Sequence, residues 1–207
     1  KPCRVLYNTV ESDKILAGAC EAAPELKADG KVRLIAVGTL KRSKGYMRLL
    51  QIIKRLQDEK YLVHLYILGI GPLQQEMEEY IRQNELQDTV TLLSYQTNPY
   101  KYVSKCDLFV CASLAEGFST AATEALIVGT PICTVEVSGM KEMLGENNEW
   151  GVVTENSEDA LYQGIRGLLD SPDRLACYKE KASERGKDFN TASTVIAAEN
   201  LFEELVK

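Results

Sequence analysis

Apolar runs and charged stretches alternate along most of the chain. VRLIAVG (32–38), VHLYILG (63–69), TVTLLS (89–94), DLFVCAS (107–113) and PICTVE (131–136) are apolar at nearly every position, and several end in Gly or Ser. Near-continuous rather than alternating hydrophobicity, rich in β-branched and aromatic residues, predicts strands buried on both faces, as in a parallel sheet covered by helices. WGVVTE (150–155) is a shorter sixth candidate. Helical periodicity fills the intervals. In YMRLLQIIKRLQDE (46–59), Met47, Leu50, Ile53 and Leu56 fall on one face with charges opposite. LQQEMEEYIRQ follows Pro72, which suits a first helical turn, and STAATEALIVG opens on hydroxyl caps and stops at Gly129. SEDALYQGIRGLL, the segment from Asp173 to about Lys187, and TASTVIAAENLFEELV complete the helical set.

Strand and helix alternate throughout. This predicts an α/β fold: a doubly wound parallel sheet of about six strands with helices on both faces, ligands lying beyond the carboxyl ends of the strands. Residues 1–30 depart from the pattern. They hold one short strand-like piece and a loop rich in Ala, Glu and Asp, and read as a lead-in to a domain spanning 31–207.

Composition narrows the function classes. The 207 residues, 45% hydrophobic, suffice for one substantial core. No apolar stretch reaches the roughly 18 residues of a membrane span and no signal-like segment opens the chain, so a soluble, cytoplasmic protein is expected. A net charge of −6 without a long basic run argues against a broad nucleic-acid or anionic-membrane footprint on this chain. Six cysteines contain no CxxC pair and there is one histidine, so no metal site is expected. Cys106, Cys111 and Cys133 lie in apolar runs and read as buried reduced thiols, and His64, inside VHLYIL, reads as structural.

Three stretches carry candidate chemistry. VGTLKRSKG (37–45) joins the first strand to the first helix, with Gly38 and Gly45 at its ends and Lys41, Arg42 and Lys44 crowded between. Glycines, helix-terminal amides and cations together suit a diphosphate, but a solvated basic turn fits equally; the loop matches neither the Walker A nor the GxGxxG pattern. ILGIGP carries a GxG (Gly69, Gly71) that reads either as a tight turn or as a ligand lining. In EGFSTAATE (116–124), Gly117, Phe118, Ser119 and Thr120 open a helix at a strand's carboxyl end, flanked by Glu116 and Glu124. Carboxylates there either complement the helix dipole or accept hydrogen bonds from sugar hydroxyls. Cations and amides for phosphates, with carboxylates for hydroxyls, imply a nucleotide diphosphate bearing a sugar.

These stretches resemble the family 4 retaining glycosyltransferases. GTLKRSKG resembles that family's GRLxxxKG-like loop, EGFSTAATE its E-x7-E signature, LGIGPLQQEME its strand–GxGP–helix segment, and NPYKYVSKCDLFVCASLAEGFSTAATEALIVGTPICTVEVSG its flanking region. VLYNTVE resembles its linker between two domains. The resemblance implies one half of a GT-B fold: a Rossmann-like, nucleotide-sugar-binding domain over residues 31–207, with 1–30 as interdomain linker and the acceptor-binding N-terminal domain absent. It implies a transferase that moves a sugar from a UDP- or GDP-type donor to a glycan or lipid-linked acceptor, with no cofactor or metal. It leaves room for peripheral contact of the intact enzyme with the inner membrane face. Carried over by residue, Glu116 and Lys44 are the catalytic positions. Lys44 binds the diphosphate and Gly38 lets it approach. Amides around Gly117, Phe118, Ser119 and Thr120 hold phosphate and sugar, Glu116 contacts the donor sugar, Glu124 the ribose, and Ser94 and Tyr95 the base. The chain departs at Thr39, where the family has arginine, and Arg42 is the candidate replacement. The alternatives are another GT-B enzyme, such as a nucleotide-sugar epimerase, and a non-enzymatic nucleotide-binding or interaction module.

Overall fold

The computed structural model describes residues 10–27, 29–192, 195, 196 and 199. VLYNTVE lies largely outside them, as does much of the C-terminal helical segment, whose described members Thr191, Ala192, Val195, Ile196 and Glu199 are helical. Six strands form one parallel sheet: β1 (Val32–Val37), β2 (Val63–Leu68), β3 (Val90–Leu92), β4 (Leu108–Cys111), β5 (Ile132–Val135) and β6 (Val152–Thr154), in the order β3-β2-β1-β4-β5-β6. The order reverses between β1 and β4, which pair directly through Leu34–Leu108 and Ile35–Phe109. In a sheet of this kind the loops leaving those two strands diverge to opposite faces and open a crevice.

The strands are buried on both sides because successive side chains feed two separate apolar layers. Leu34 and Ala36 of β1, Leu65 and Ile67 of β2, and Leu108 and Val110 of β4 pack into one layer with α2 (Tyr46–Asp58), α3 (Gln74–Gln83) and α7 (Glu158–Leu169). Ile35, Tyr66, Leu68 and Phe109 pack into the other, with α4 (Tyr100–Val103), α5 (Thr120–Ile127), α6 (Met140–Leu144) and Ala182 of α8 (Pro172–Gly186). The expected helices over 46–59, 73–83, 119–129, 157–169 and 173–187 are present within a few residues of those bounds.

Helices α2, α3 and α5 end in the same way. A left-handed residue follows the cap (Lys60, Glu85 and Gly129), and the next amide reaches back to the third-last carbonyl: Tyr61 to Leu56, Leu86 to Ile81, Thr130 to Ala125. Glycine marks that position in only one of the three.

The loop expected before residue 31 contains a helix, α1 (Ser12–Ala19), with Ile15 buried. Its own sequence is a weak signal. Its end is held by partners far along the chain: Asn98 Nδ2 donates to the Gly18 carbonyl (2.9 Å) and Ser104 Oγ to that of Ala19 (3.1 Å). Tertiary hydrogen bonds satisfy the orphan carbonyls that local sequence leaves open.

Cys106, Cys111 and Cys133 are buried free thiols, and burial pushes those of Cys106 and Cys133 up to about 12. His64 is fully buried, with Nε2 2.8 Å from Thr91 Oγ1 and its ring stacked 4.5 Å from that of Tyr66. Nδ1 finds no partner among the described residues. Burial first, then the charges of Lys27 and Lys31, pull its pKa down from 6.5 to about 4. The unfolded chain therefore takes up a proton that the native state refuses. The stability involved is intact above pH 6.5 and is lost as pH falls toward about 4. Urea unfolding across that window should show a decline of up to about 3 kcal/mol that His64→Phe lacks. Matching pH profiles for the two proteins would refute it.

Candidate functional site

The two loops that leave the sheet at the reversal between β1 and β4 build the crevice. After β1 the chain passes Gly38 and Thr39, makes a single 3-10 turn over Arg42–Lys44, and enters α2 through Gly45 at φ 68°. Gly45 has a second constraint: a Cβ there would lie 1.8 Å from the Ala112 carbonyl oxygen at the end of β4. The first loop is thus pressed onto the second. After β4 the chain runs through Ser113–Phe118 to Ser119, whose Oγ caps α5 by accepting the Ala122 amide at 3.3 Å.

Lys44 and Glu116 meet across this gap in an ion pair, with side chains only 23% and 12% exposed. Ser113 Oγ also lies 3.4 Å from Glu116 Oε1. Lys44, Glu116, Ser113, Ser119 and Tyr46 line a small hollow of about 20 Å³ that bottoms on Val37, Phe109 and Cys111. Val37 also lines a larger, open hollow of about 390 Å³ on the other side, walled by Gly38, Thr39, Gly69, Ile70, Tyr95, Thr97 and Tyr100. Tyr100 links it to α5 by donating its hydroxyl to Glu124 Oε1 at 3.2 Å. Burial raises the pKa of Glu124, an effect the Tyr100 hydroxyl moderates, while burial and the Glu124 charge push Tyr100 up to about 12.

Half of the residues singled out from sequence line two adjoining hollows. Lys44, Glu116 and Ser119 face the smaller; Gly38, Thr39 and Tyr95 face the larger, and Glu124 reaches its wall through Tyr100. Gly117 is exposed, and a Cβ on it would meet nothing within 4 Å. Phe118 packs over Gly139, and Thr120 is exposed. Ser94 adopts φ 58° and its carbonyl accepts the Gly69 amide at 2.8 Å. Arg42 stands apart: its guanidinium donates to Glu76 Oε2 at 2.9 Å and its side chain is 80% exposed. The GxG glycines serve loop packing, since a Cβ on Gly69 would lie 1.9 Å from the Gly38 carbonyl oxygen and one on Gly71 2.4 Å from that of Leu40.

Two residues escaped the sequence reading. Tyr100 has no local signature. Arg48 has one: it is a cation in the first turn of α2, where the helix dipole disfavours positive charge. Its guanidinium donates to the carbonyls of Ala112 (2.7 Å) and Ser113 (2.8 Å) and to Asn156 Oδ1 (2.8 Å). Among the described residues no three His, Cys, Asp or Glu side chains cluster closely enough to hold a metal, and no helix is long and apolar enough to cross a membrane.

Chemically, the crevice offers the Lys44 ammonium, the first turn of α5 and the Glu116 carboxylate, with the Glu124 carboxylate behind Tyr100. Comparisons with known proteins give the family and the fold. The family described as glycosyl transferases group 1 matches residues 21–185. An N-acetylgalactosamine-N,N'-diacetylbacillosaminyl-diphospho-undecaprenol 4-alpha-N-acetylgalactosaminyltransferase of Campylobacter jejuni is 34% identical over 192 residues, which cover 92% of this chain and 50% of that protein. The chain thus spans about half the length of that relative. Among solved structures, HepE of Anabaena in complex with UDP aligns with a TM-score of 0.83 at 18% identity, over 97% of this chain and 57% of that one. A mutant of S. aureus TarM, solved with fondaparinux, alpha-GlcNAc-glycerol and UDP, aligns with a TM-score of 0.79 at 21% identity, over 96% of this chain and 39% of that one. At those identities the two structures share the fold.

Proposed function

This chain belongs to the glycosyl transferases of group 1, and on that premise we propose that it is the donor-binding half of a retaining GT-B glycosyltransferase. Residues 31–207 form the nucleotide-sugar domain, and residues 1–30 lead to an acceptor-binding domain outside this chain. The intact enzyme transfers a sugar from a nucleotide-diphosphate sugar to a glycan or lipid-linked acceptor, as the name of the Campylobacter relative says of that protein. A cytoplasmic enzyme, reaching a lipid-linked acceptor at the membrane face, suits that substrate.

The observation that carries this reading is the meeting of Lys44 and Glu116 where the sheet order reverses, beside a hollow large enough for a nucleoside. In this reading Lys44 turns from Glu116 to the donor diphosphate. The first amides of α5 and the Ser119 and Thr120 hydroxyls share the remaining charge, and Glu116 takes the donor sugar. As the glycosidic bond breaks, negative charge accumulates on the departing diphosphate. A fixed ammonium and helix-terminal amides stabilise it most at that moment. Tyr95 and the Ser94 turn flank the base, Gly38 and Thr39 floor the approach of the diphosphate, and Phe118 braces the turn that carries Gly117. Glu124 accepts the ribose hydroxyls.

The chain should be stabilised against heat by a UDP- or GDP-sugar, and a panel of nucleotide sugars identifies which base. No binding by any UDP, GDP or ADP compound at roughly millimolar concentration would contradict the reading. Glu124→Ala should weaken binding by about ten- to a hundredfold while the fold persists. The ribose role also has a pH signature. Glu124 binds hydroxyls as a carboxylate, and its pKa is raised above 4.5. Affinity for a nucleotide sugar, whose diphosphate diester does not titrate in this range, should decline on acidification from a higher pH than an ordinary carboxylate would give. Glu124→Gln should remove that dependence, and an identical pH profile in the variant would exclude Glu124 from the ribose site.

A further inference from the structure

We propose that Arg48 is a positioning residue for the donor site: from α2 it holds the connection between β4 and α5 at the height where Glu116 and the turn at Gly117 face the donor. The proposal rests on the donor-binding reading above.

Three successive carbonyls of this connection are gripped from outside it. Arg48 Nε donates to Ala112 at 2.7 Å, and one terminal nitrogen donates to Ser113 at 2.8 Å. The other terminal nitrogen donates to Asn156 Oδ1 at 2.8 Å, and Asn156 Nδ2 donates in turn to the Leu114 carbonyl at 3.2 Å. The Leu114 amide donates to Ser43 in the first loop at 2.8 Å. Beyond Leu114 the chain is exposed at Ala115 and Gly117 until the Ser119 cap. Glu116 sits between those two anchors.

A guanidinium suits this task because it presents its donors in a fixed planar fork and can satisfy three acceptors at once; an ammonium on a flexible stem would satisfy them one geometry at a time. Its position at the start of α2 is electrostatically unfavourable for a cation, so the helix itself gives no reason for arginine there. Arg48 lines neither hollow. It therefore acts through the loop and not by touching a ligand. The half of the site it governs is the phosphate and sugar end, at Glu116 and Gly117. The nucleoside end, at Tyr95 and Tyr100, stands on the connection from β3 into α4.

The test compares the chain with its Arg48→Ala and Arg48→Lys variants. Each is titrated with UDP-glucose, GDP-mannose and ADP-glucose, and with uridine, guanosine and adenosine, and amide hydrogen exchange is followed over residues 114–119. Arg48→Ala should weaken the nucleotide sugar that the wild type binds by about tenfold and leave the matching nucleoside unchanged, with faster exchange across 114–119. Arg48→Lys should fall between. A purely structural role would lower the melting temperature and weaken nucleoside and nucleotide sugar alike, and that result overturns the proposal. So does unchanged exchange over 114–119. A wild type that binds none of the six compounds would overturn the donor reading and this proposal with it. If the wild type binds and Arg48→Ala binds equally well, the proposal alone fails.

Discussion

Lys44→Ala should weaken nucleotide-sugar binding by about a hundredfold or more, the largest effect of any single side-chain truncation at the site. Two losses act together. The variant removes a charge-assisted contact to the diphosphate, worth roughly 1.5–3 kcal/mol. It also strips Glu116 of its partner, leaving a carboxylate that is 12% exposed and negatively charged beside the space a diphosphate must occupy. A charge left unpaired in a partly buried site is costlier than the pair it came from. The second term makes the prediction distinctive, because it has a sign that a double-mutant cycle reads. Lys44→Ala combined with Glu116→Gln should bind the bare nucleoside diphosphate more tightly than Lys44→Ala alone. Glu116→Gln by itself frees Lys44 and should largely preserve affinity for the bare nucleoside diphosphate while weakening that for the sugar-bearing compound. Calorimetry on the four proteins checks this, and additive losses would show that the two residues do not work on the same ligand.

The second large effect is on stability and falls on a glycine. Gly45→Ala places a Cβ 1.8 Å from the Ala112 carbonyl oxygen, at a φ of 68° that L-residues rarely adopt. The obstacle is backbone, and that same carbonyl is held by Arg48 at 2.7 Å, so it cannot swing away freely. Left-handed strain and the displacement of a clamped strand end together should cost at least about 3 kcal/mol. In a domain of this size that lowers Tm by about 6–12 °C. Gly117→Ala is the informative contrast. Nothing lies within 4 Å of its Cβ position, so Tm should hardly move, whereas donor affinity should fall if the phosphate passes the turn as proposed. The proposed division gives Gly45 to loop packing and Gly117 to the ligand. Equal Tm losses in the two variants, or unchanged affinity in Gly117→Ala, would contradict that division.

Much of this arrangement was legible in the residues, for identifiable reasons. β2 is buried at every position and β1 at its middle three, so VRLIAVG and VHLYILG carry a nearly continuous apolar signal, broken only by Arg33 and His64. The helix start at Ser119 was visible as a hydroxyl cap, and Ser119 Oγ does accept the Ala122 amide. Glu116 stood out as a carboxylate beside small residues at a strand end, whereas Lys44 was set apart from Lys41 and Arg42 only by the loop's resemblance to the family's GRLxxxKG-like loop. What escaped depended on distant partners. Helix α1 is fixed by Asn98 and Ser104. The ends of α2 and α3 turn at Lys60 and Glu85 without glycine. The cluster of three cations in the first loop overstated its role as a unit, since Arg42 is held by Glu76 while Lys44 alone meets Glu116. Glycine pairs such as Gly69 and Gly71 mark close approach of backbone to something; only the fold reveals that the something is Gly38 and Leu40.

The most direct test is a crystal structure of the chain with the nucleotide sugar that stabilises it most. The diphosphate should lie at hydrogen-bonding distance from Lys44 Nζ and the first amides of α5, with Glu116 on the sugar, Glu124 on the ribose, and the base beside Tyr95. A ligand bound elsewhere, with Lys44 still closed on Glu116, would contradict that arrangement.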